Sequence, residues 1–103
     1  MRFEIVLAPD AVEDVKSLRA NVRATVVGAI ERHLRHAPTK TSQSRIKRLR
    51  GLSRPQYRLR VGDVRVFYDV AGDTVEILAV VSKARAGEWL QRSGVGDEGS
   101  GTV

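Results

Sequence analysis

The sequence predicts an α+β fold: an antiparallel β-sheet of about four strands, with an N-terminal two-helix hairpin packed on one face and a short C-terminal helix. Three observations carry this. Gln56 to Val61 and Val64 to Val70 are strand-like runs separated by Gly62-Asp63, the two-residue connection that hairpins prefer. Val12, Val15 and Leu18, and then Val22, Val26, Ile30 and Leu34, recur at helical spacing. Val75 to Val81 is apolar on nearly both faces, as expected of a central strand.

Each element has a local reason. Phe3 to Leu7 alternates loosely and reads as a strand. Ala8-Pro9-Asp10 opens the first helix, because proline's missing N–H would be unpaired there anyway and an acid suits the helix dipole. Asn21 is placed to cap a second helix, which Ala37-Pro38 ends. Thr25-Val26-Val27 is poor helix material, so packing must override propensity there. The two helices form an antiparallel pair whose apolar faces need a sheet to cover them. Thr39 to Ser44 is polar and reads as loop. Ile46 to Leu52 is basic, with apolar residues at 46, 49 and 52, and reads as a short edge strand or a turn that Pro55 breaks. Gly72-Asp73 marks a second turn, and Ala84 to Gln91 a short terminal helix. Residues 1–92 form a single domain; residues 93–103, rich in glycine with little apolar surface, read as a flexible tail.

Composition narrows the function classes. There is no cysteine among the 103 residues, which excludes disulfides, thiolate zinc sites and a cysteine nucleophile, and fits a reducing compartment. The N-terminus lacks the apolar run of a signal peptide and no stretch approaches membrane length, so a cytoplasmic protein without membrane contact is expected. Net charge is +6, and it is unevenly distributed. Eleven lysines and arginines lie between Arg32 and Arg65, against a single acid, Asp63. Such a block marks a face for polyanions, or a solvated face that keeps the chain soluble.

The hairpin turn fixes the strand register. With Gly62 and Asp63 in the loop, Val61 faces Val64, Arg60 faces Arg65, Leu59 faces Val66, Arg58 faces Phe67 and Tyr57 faces Tyr68. Tyr57, Leu59, Val61, Val64, Val66 and Tyr68 then make an apolar face that must meet the helices. Arg58, Arg60, Arg65 and Phe67 share the other. Like charges directly opposite in an antiparallel pair are destabilising, so a sequence shaped only for stability would place an acid across from Arg60. Local conflicts of this kind are expected at functional sites, and guanidinium is the side chain best matched to phosphate. The competing expectation is that Asp69 or Glu76 neutralises the cluster. Phe67 and Trp89 are expected to cover the core beneath the terminal helix rather than to stack on bases.

From Leu49 to Leu90 the pattern resembles the RelE branch of the RelE/ParE toxin superfamily. The resemblance rests on Leu49-Arg50-Gly51-Leu52, on Tyr57-Arg58-Leu59-Arg60-Val61-Gly62-Asp63 and on the strands that follow to Val81. It implies the toxin of a type II toxin–antitoxin pair, partnered by a cognate antitoxin. It also implies metal-independent, ribosome-dependent cleavage of mRNA, with the ribose 2′-OH attacking the adjacent phosphate to leave a 2′,3′-cyclic phosphate. By the same resemblance Arg58, Arg60 and Arg65 fall on the family's basic strand positions. A basic role near the end passes to Lys83 or Arg85, while Leu90 stands where such toxins commonly carry a tyrosine. Two other functions stay open. ParE-like members poison DNA gyrase and cleave nothing, and loss of the tyrosine fits a weakly catalytic RNA- or antitoxin-binding module.

The chemistry assigns roles to residue types. Arginine is always charged and serves to stabilise developing negative charge. Arg65 is assigned that role, with Arg58 and Arg60 gripping flanking phosphates and Arg48, Arg50 and Arg85 as further RNA contacts. Lys83 is the candidate for proton transfer, or else an exposed lysine closing a strand. His33 and His36 are three apart without a third partner, so no metal site is expected, and no cofactor motif is present.

Overall fold

The computed structural model describes residues 1–96. Its elements run β1 (Glu4–Leu7), α1 (Pro9–Ser17), α2 (Ala20–Leu34), β2 (Ile46–Arg48), β3 (Leu52–Arg54), β4 (Tyr57–Val61), β5 (Val64–Ala71), β6 (Thr74–Ser82), α3 (Lys83–Ser93) and β7 (Val95–Gly96). The main sheet has five strands in the order β1-β6-β5-β4-β2, with the two-helix unit on one face and α3 against the other. β3 and β7 form a separate two-stranded ribbon.

The β4–β5 register matches the expectation at all five positions, from Tyr57↔Tyr68 to Val61↔Val64. Gly62 has φ 57°, and no non-glycine residue among the described residues has positive φ. A single positive φ at the first turn position is the pattern of a type II′ hairpin turn. Leu59, Val66 and Tyr68 are fully buried against Ala11, Val26, Ile30 and Leu34, so the apolar face meets the helices as anticipated. The buried Tyr68 hydroxyl donates to the Pro38 carbonyl at 2.6 Å, tying the sheet to the end of the helical unit.

Several features differ from the sequence reading. β2 at one edge is the fifth strand, and at the opposite edge β1, expected as a strand, pairs parallel to β6, Glu4 with Thr74 through Leu7 with Ile77. This makes the sheet mixed rather than wholly antiparallel. α2 starts at Ala20, so Asn21 lies inside the helix and caps nothing. The connection is held instead by Arg23, whose guanidinium donates to the carbonyls of Val15, Lys16 and Leu18 at the end of α1. α3 continues to Ser93, and Val95 and Gly96 pair with β3. Of the segment expected to be a tail, Ser93 thus belongs to α3 and Val95 and Gly96 to β7, and 97–103 lie outside the described residues.

A register shift between Phe67 and Tyr68 leaves Leu78 as an extra residue in β6, because Phe67 pairs with Ala79 and Tyr68 with Ile77. Ile77, Leu78, Ala79 and Val80 are all buried. The helices cover one face of this strand, and α3 covers the other through Trp89, which stacks on Phe67 at 4.9 Å and 10°. Both aromatics thus have the covering role expected of them.

Candidate functional site: the basic face of the hairpin

Alternation along β4 and β5 puts Arg58, Arg60, Arg65 and Phe67 on the face away from the two-helix unit. Arg60 faces Arg65 directly. β2 adds a residue that the sequence reading did not assign to the site: Lys47 is paired with Arg58 on the opposite edge of β4 and is exposed. Its placement could have been read from the Ile46-Lys47-Arg48 alternation once that segment was taken as a strand with Ile46 buried.

The face is divided in two by charge. Beyond the Phe67–Trp89 stack, Asp69 and Glu76 are paired neighbours on β5 and β6. The expectation that they might neutralise the arginines is answered by Arg54. Its Nε lies 3.6 Å from Asp69 Oδ2 and its Nη2 3.5 Å from Glu76 Oε1. Asp69 also accepts the Gln56 backbone N–H at 2.7 Å. Burial pushes the Asp69 carboxyl above its ordinary pKa, opposed by that hydrogen bond and by Arg54. The acids are thus engaged from β3, and no ion pair to Arg58, Arg60 or Arg65 occurs among the described residues.

Arg58 bears the cost of this arrangement. It is half-buried, and its Nε is a buried donor with no hydrogen-bond partner among the described residues. Desolvation, then the charges of Arg65 and Arg60, push its guanidinium below the ordinary arginine pKa. A group in that position gains from any anion that brings acceptors and negative charge together.

Arg65 lies on the expected face but not in solvent, being only 7% exposed. Its Nη1 donates to Gly62 O at 2.8 Å and to Val64 O at 3.1 Å. It braces the turn from within its own hairpin because its strand is central, with β4 and β6 on either side. Lys83 is exposed at the first position of α3, and its backbone N–H donates to Asp63 O at 2.7 Å. That bond sets Lys83 beside the same turn, near Arg60 and Arg65.

The other expected RNA contacts are scattered. Arg48 pairs with Tyr57 and so belongs to the opposite face, its guanidinium 5.3 Å from the Tyr57 ring centroid and bonded to the Gln56 and Leu49 carbonyls. Arg50 is exposed in the turn between β2 and β3. Arg85 is on α3, in a groove of about 540 Å³ shared with Asp10, Glu13 and Asp14 of α1. The coherent cationic set is therefore Lys47, Arg58, Arg60 and the braced Arg65, with Lys83 at its rim. Donors of this kind can hold phosphate oxygens and stabilise negative charge that builds up on them. Among the described residues there is no group of three or more metal-ligating side chains, and no helix long and apolar enough to cross a membrane.

Residues 5–87 match the sequence family described as the ParE toxin of the type II toxin–antitoxin system parDE. No curated protein sequence matches the chain. Among solved structures, the archaeal RelE–RelB complex of Pyrococcus horikoshii superposes with TM-score 0.67 at 24% identity, covering 84% of this chain and all of that one. The RelB–RelE complex of Methanococcus jannaschii gives 0.64 at 24% identity, over 82% and 96%. The RelBE2 complex of Mycobacterium tuberculosis gives 0.63 at 24%, over 80% and 99%. These likenesses establish a shared fold, and the family match extends over most of the sequence. The chain belongs to the ParE toxin family of type II toxin–antitoxin systems, within the RelE/ParE superfamily, and its fold is that of the RelE toxins.

Proposed function

We propose that this protein is a toxin that cleaves mRNA on the ribosome without a metal, acting in the cytoplasm, with a cognate antitoxin as its inhibitor. The observation that carries the reading is the basic half of this face, whose arginines form no ion pair among the described residues, above all the half-buried Arg58 with its unpartnered Nε. A phosphodiester laid across β4 relieves that conflict by supplying acceptors to Arg58 and Arg60.

In the proposed reaction a ribose 2′-OH attacks the neighbouring phosphorus, the bond to the 5′-oxygen breaks, and a 2′,3′-cyclic phosphate remains. Arg58 and Arg60 hold the non-bridging oxygens and stabilise the charge that builds up on them. Arg65 adds positive potential and keeps the turn that carries Arg60 in place through Gly62 O and Val64 O. Lys83 is the nearest candidate to move a proton to or from the reacting oxygens. The antitoxin is proposed by likeness to the RelB–RelE complexes, and a segment bearing carboxylates would suit the same basic face.

A second reading, inhibition of DNA gyrase, is favoured by the parDE name of the matching family. Primer extension on cellular mRNA after induction separates the two. RNA cleavage yields new ends within translated codons, and these fade when Arg58 and Arg60 are replaced by alanine. Gyrase poisoning leaves mRNA intact and breaks DNA.

A further inference from the structure

A second basic surface lies on the helix side of the sheet, beside β2. A cleft of about 370 Å³ opens between the end of α2 and the loop leading into β2. Arg32, His33, Lys40 and Arg45 line it together with the hydroxyl residues Thr41, Ser42 and Ser44, and among the described residues no carboxylate does. A neighbouring cleft of about 350 Å³ shares Arg32, His33 and Arg45 and reaches Arg60 and Gly62 at the hairpin turn. Arg60 therefore stands where the hairpin face and this cleft meet.

The cations in it are available. Arg32, Lys40 and Arg45 form no ion pair among the described residues. The Arg45 Nη1 lies 3.0 Å from His33 Nε2. Arginine only donates, so His33 accepts there as a neutral ring and Arg45 keeps its other donors. Burial, then the charges of Arg45 and Arg32, lower the His33 pKa and favour that neutral form. Of the apolar side chains lining the two clefts, Ile46 is 4% and Ala29 7% exposed, Val61 is half-buried, and the open ones are the small Ala24 and Ala37. A protein partner draws its affinity from large apolar anchors set into pockets, and this lining presents no large exposed apolar side chain. Guanidinium, ammonium and hydroxyl groups along an open track suit a phosphate backbone.

We propose that this cleft is a second phosphate-binding site, which carries the backbone of a single-stranded RNA away from the hairpin along α2 toward Lys40. The proposal rests on the RNA reading above and extends it to residues outside the hairpin.

The test is fluorescence anisotropy with two single-stranded RNAs, of about four and about sixteen nucleotides, over a range of salt. The proteins compared are the wild type, the double variant Arg32→Gln/Arg45→Gln and the double variant Arg58→Ala/Arg60→Ala, each shown to be folded by circular dichroism. The cleft variant is expected to bind the short RNA as the wild type does. It should bind the long RNA at least tenfold more weakly, with a salt slope smaller by about 1.4, two phosphate contacts at about 0.7 each. The hairpin variant should weaken on both RNAs. If the cleft variant binds both RNAs like the wild type while the hairpin variant weakens, the cleft proposal is overturned and the RNA reading stands. If neither variant loses affinity, both fall. Equal losses on short and long RNA would mean that the cleft is no separate site. Binding of an oligoglutamate peptide that only the cleft variant loses, with RNA binding unchanged, would assign the cleft to an acidic protein segment instead.

Discussion

Replacing Arg58 with methionine should make the free protein more stable and a poorer ligand for RNA. The arginine has a buried, unpartnered Nε and two like-charged neighbours, Arg60 and Arg65, on its own face. An unsatisfied buried donor costs about 1–3 kcal/mol, and a like-charged pair across strands roughly 0.2–1 kcal/mol. Arg58 is only half-buried, so solvent screens part of both, and a net gain of about 1 kcal/mol is the appropriate expectation. Methionine keeps an apolar stem of similar length, so packing against the sheet changes little. For a domain of this size the gain corresponds to a rise in Tm of about 4–8 °C. Thermal unfolding at low and high salt is the assay, and the repulsive part of the gain should shrink as salt screens it. A drop in Tm would show that Arg58 is a structural residue with partners in the free protein, and the argument from electrostatic conflict would fail.

Three further outcomes follow from other contacts. Tyr68→Phe removes the hydroxyl that satisfies the buried Pro38 carbonyl and should cost about 1–2 kcal/mol by denaturant unfolding; an unchanged midpoint would discount that bond. Trp89→Ala should cost about 2 kcal/mol and expose Phe67, read as increased dye binding to apolar surface, since the stacked pair joins α3 to the sheet; a stable variant that keeps Phe67 covered would contradict this. His33 should titrate below the ordinary histidine value of about 6.5 in an NMR titration. Because the unfolded chain then binds more protons, stability should fall as pH drops through and below about 6.5, and His33→Gln should lose that limb.

The hairpin was legible because its determinants are local. A glycine at the first of two turn positions fixes the register, and a period of two then assigns every side chain of β4 and β5 to a face. Apolar residues four apart on α2 were legible for the same reason. What escaped depends on contacts between segments distant in sequence. β1 has nothing in its own residues to say that it pairs parallel with β6. Arg48 and Arg58 are both basic strand residues, yet pairing with Tyr57 sends Arg48 to the helix side. The same pairing brings Lys47 to the arginine face. Whether Asp69 and Glu76 neutralised the hairpin arginines turned on Arg54, which reaches them from β3. Charge counting could find the basic block but not its division into a hairpin face, a scattered set and the cleft at the end of α2.

The central claim is that the basic hairpin face acts on RNA, and one reaction set run side by side tests it most directly. Purified wild-type protein and the Arg58→Ala/Arg60→Ala variant are each added to ribosomes programmed with a defined mRNA and to gyrase with relaxed plasmid. The wild type is expected to cut the mRNA at the ribosomal A site with EDTA-chelated free metal and intact ribosomes, the variant to be slower by about 10²–10³, and supercoiling to be untouched. Uncut mRNA together with blocked supercoiling would contradict the central claim and assign the protein to the gyrase-directed class.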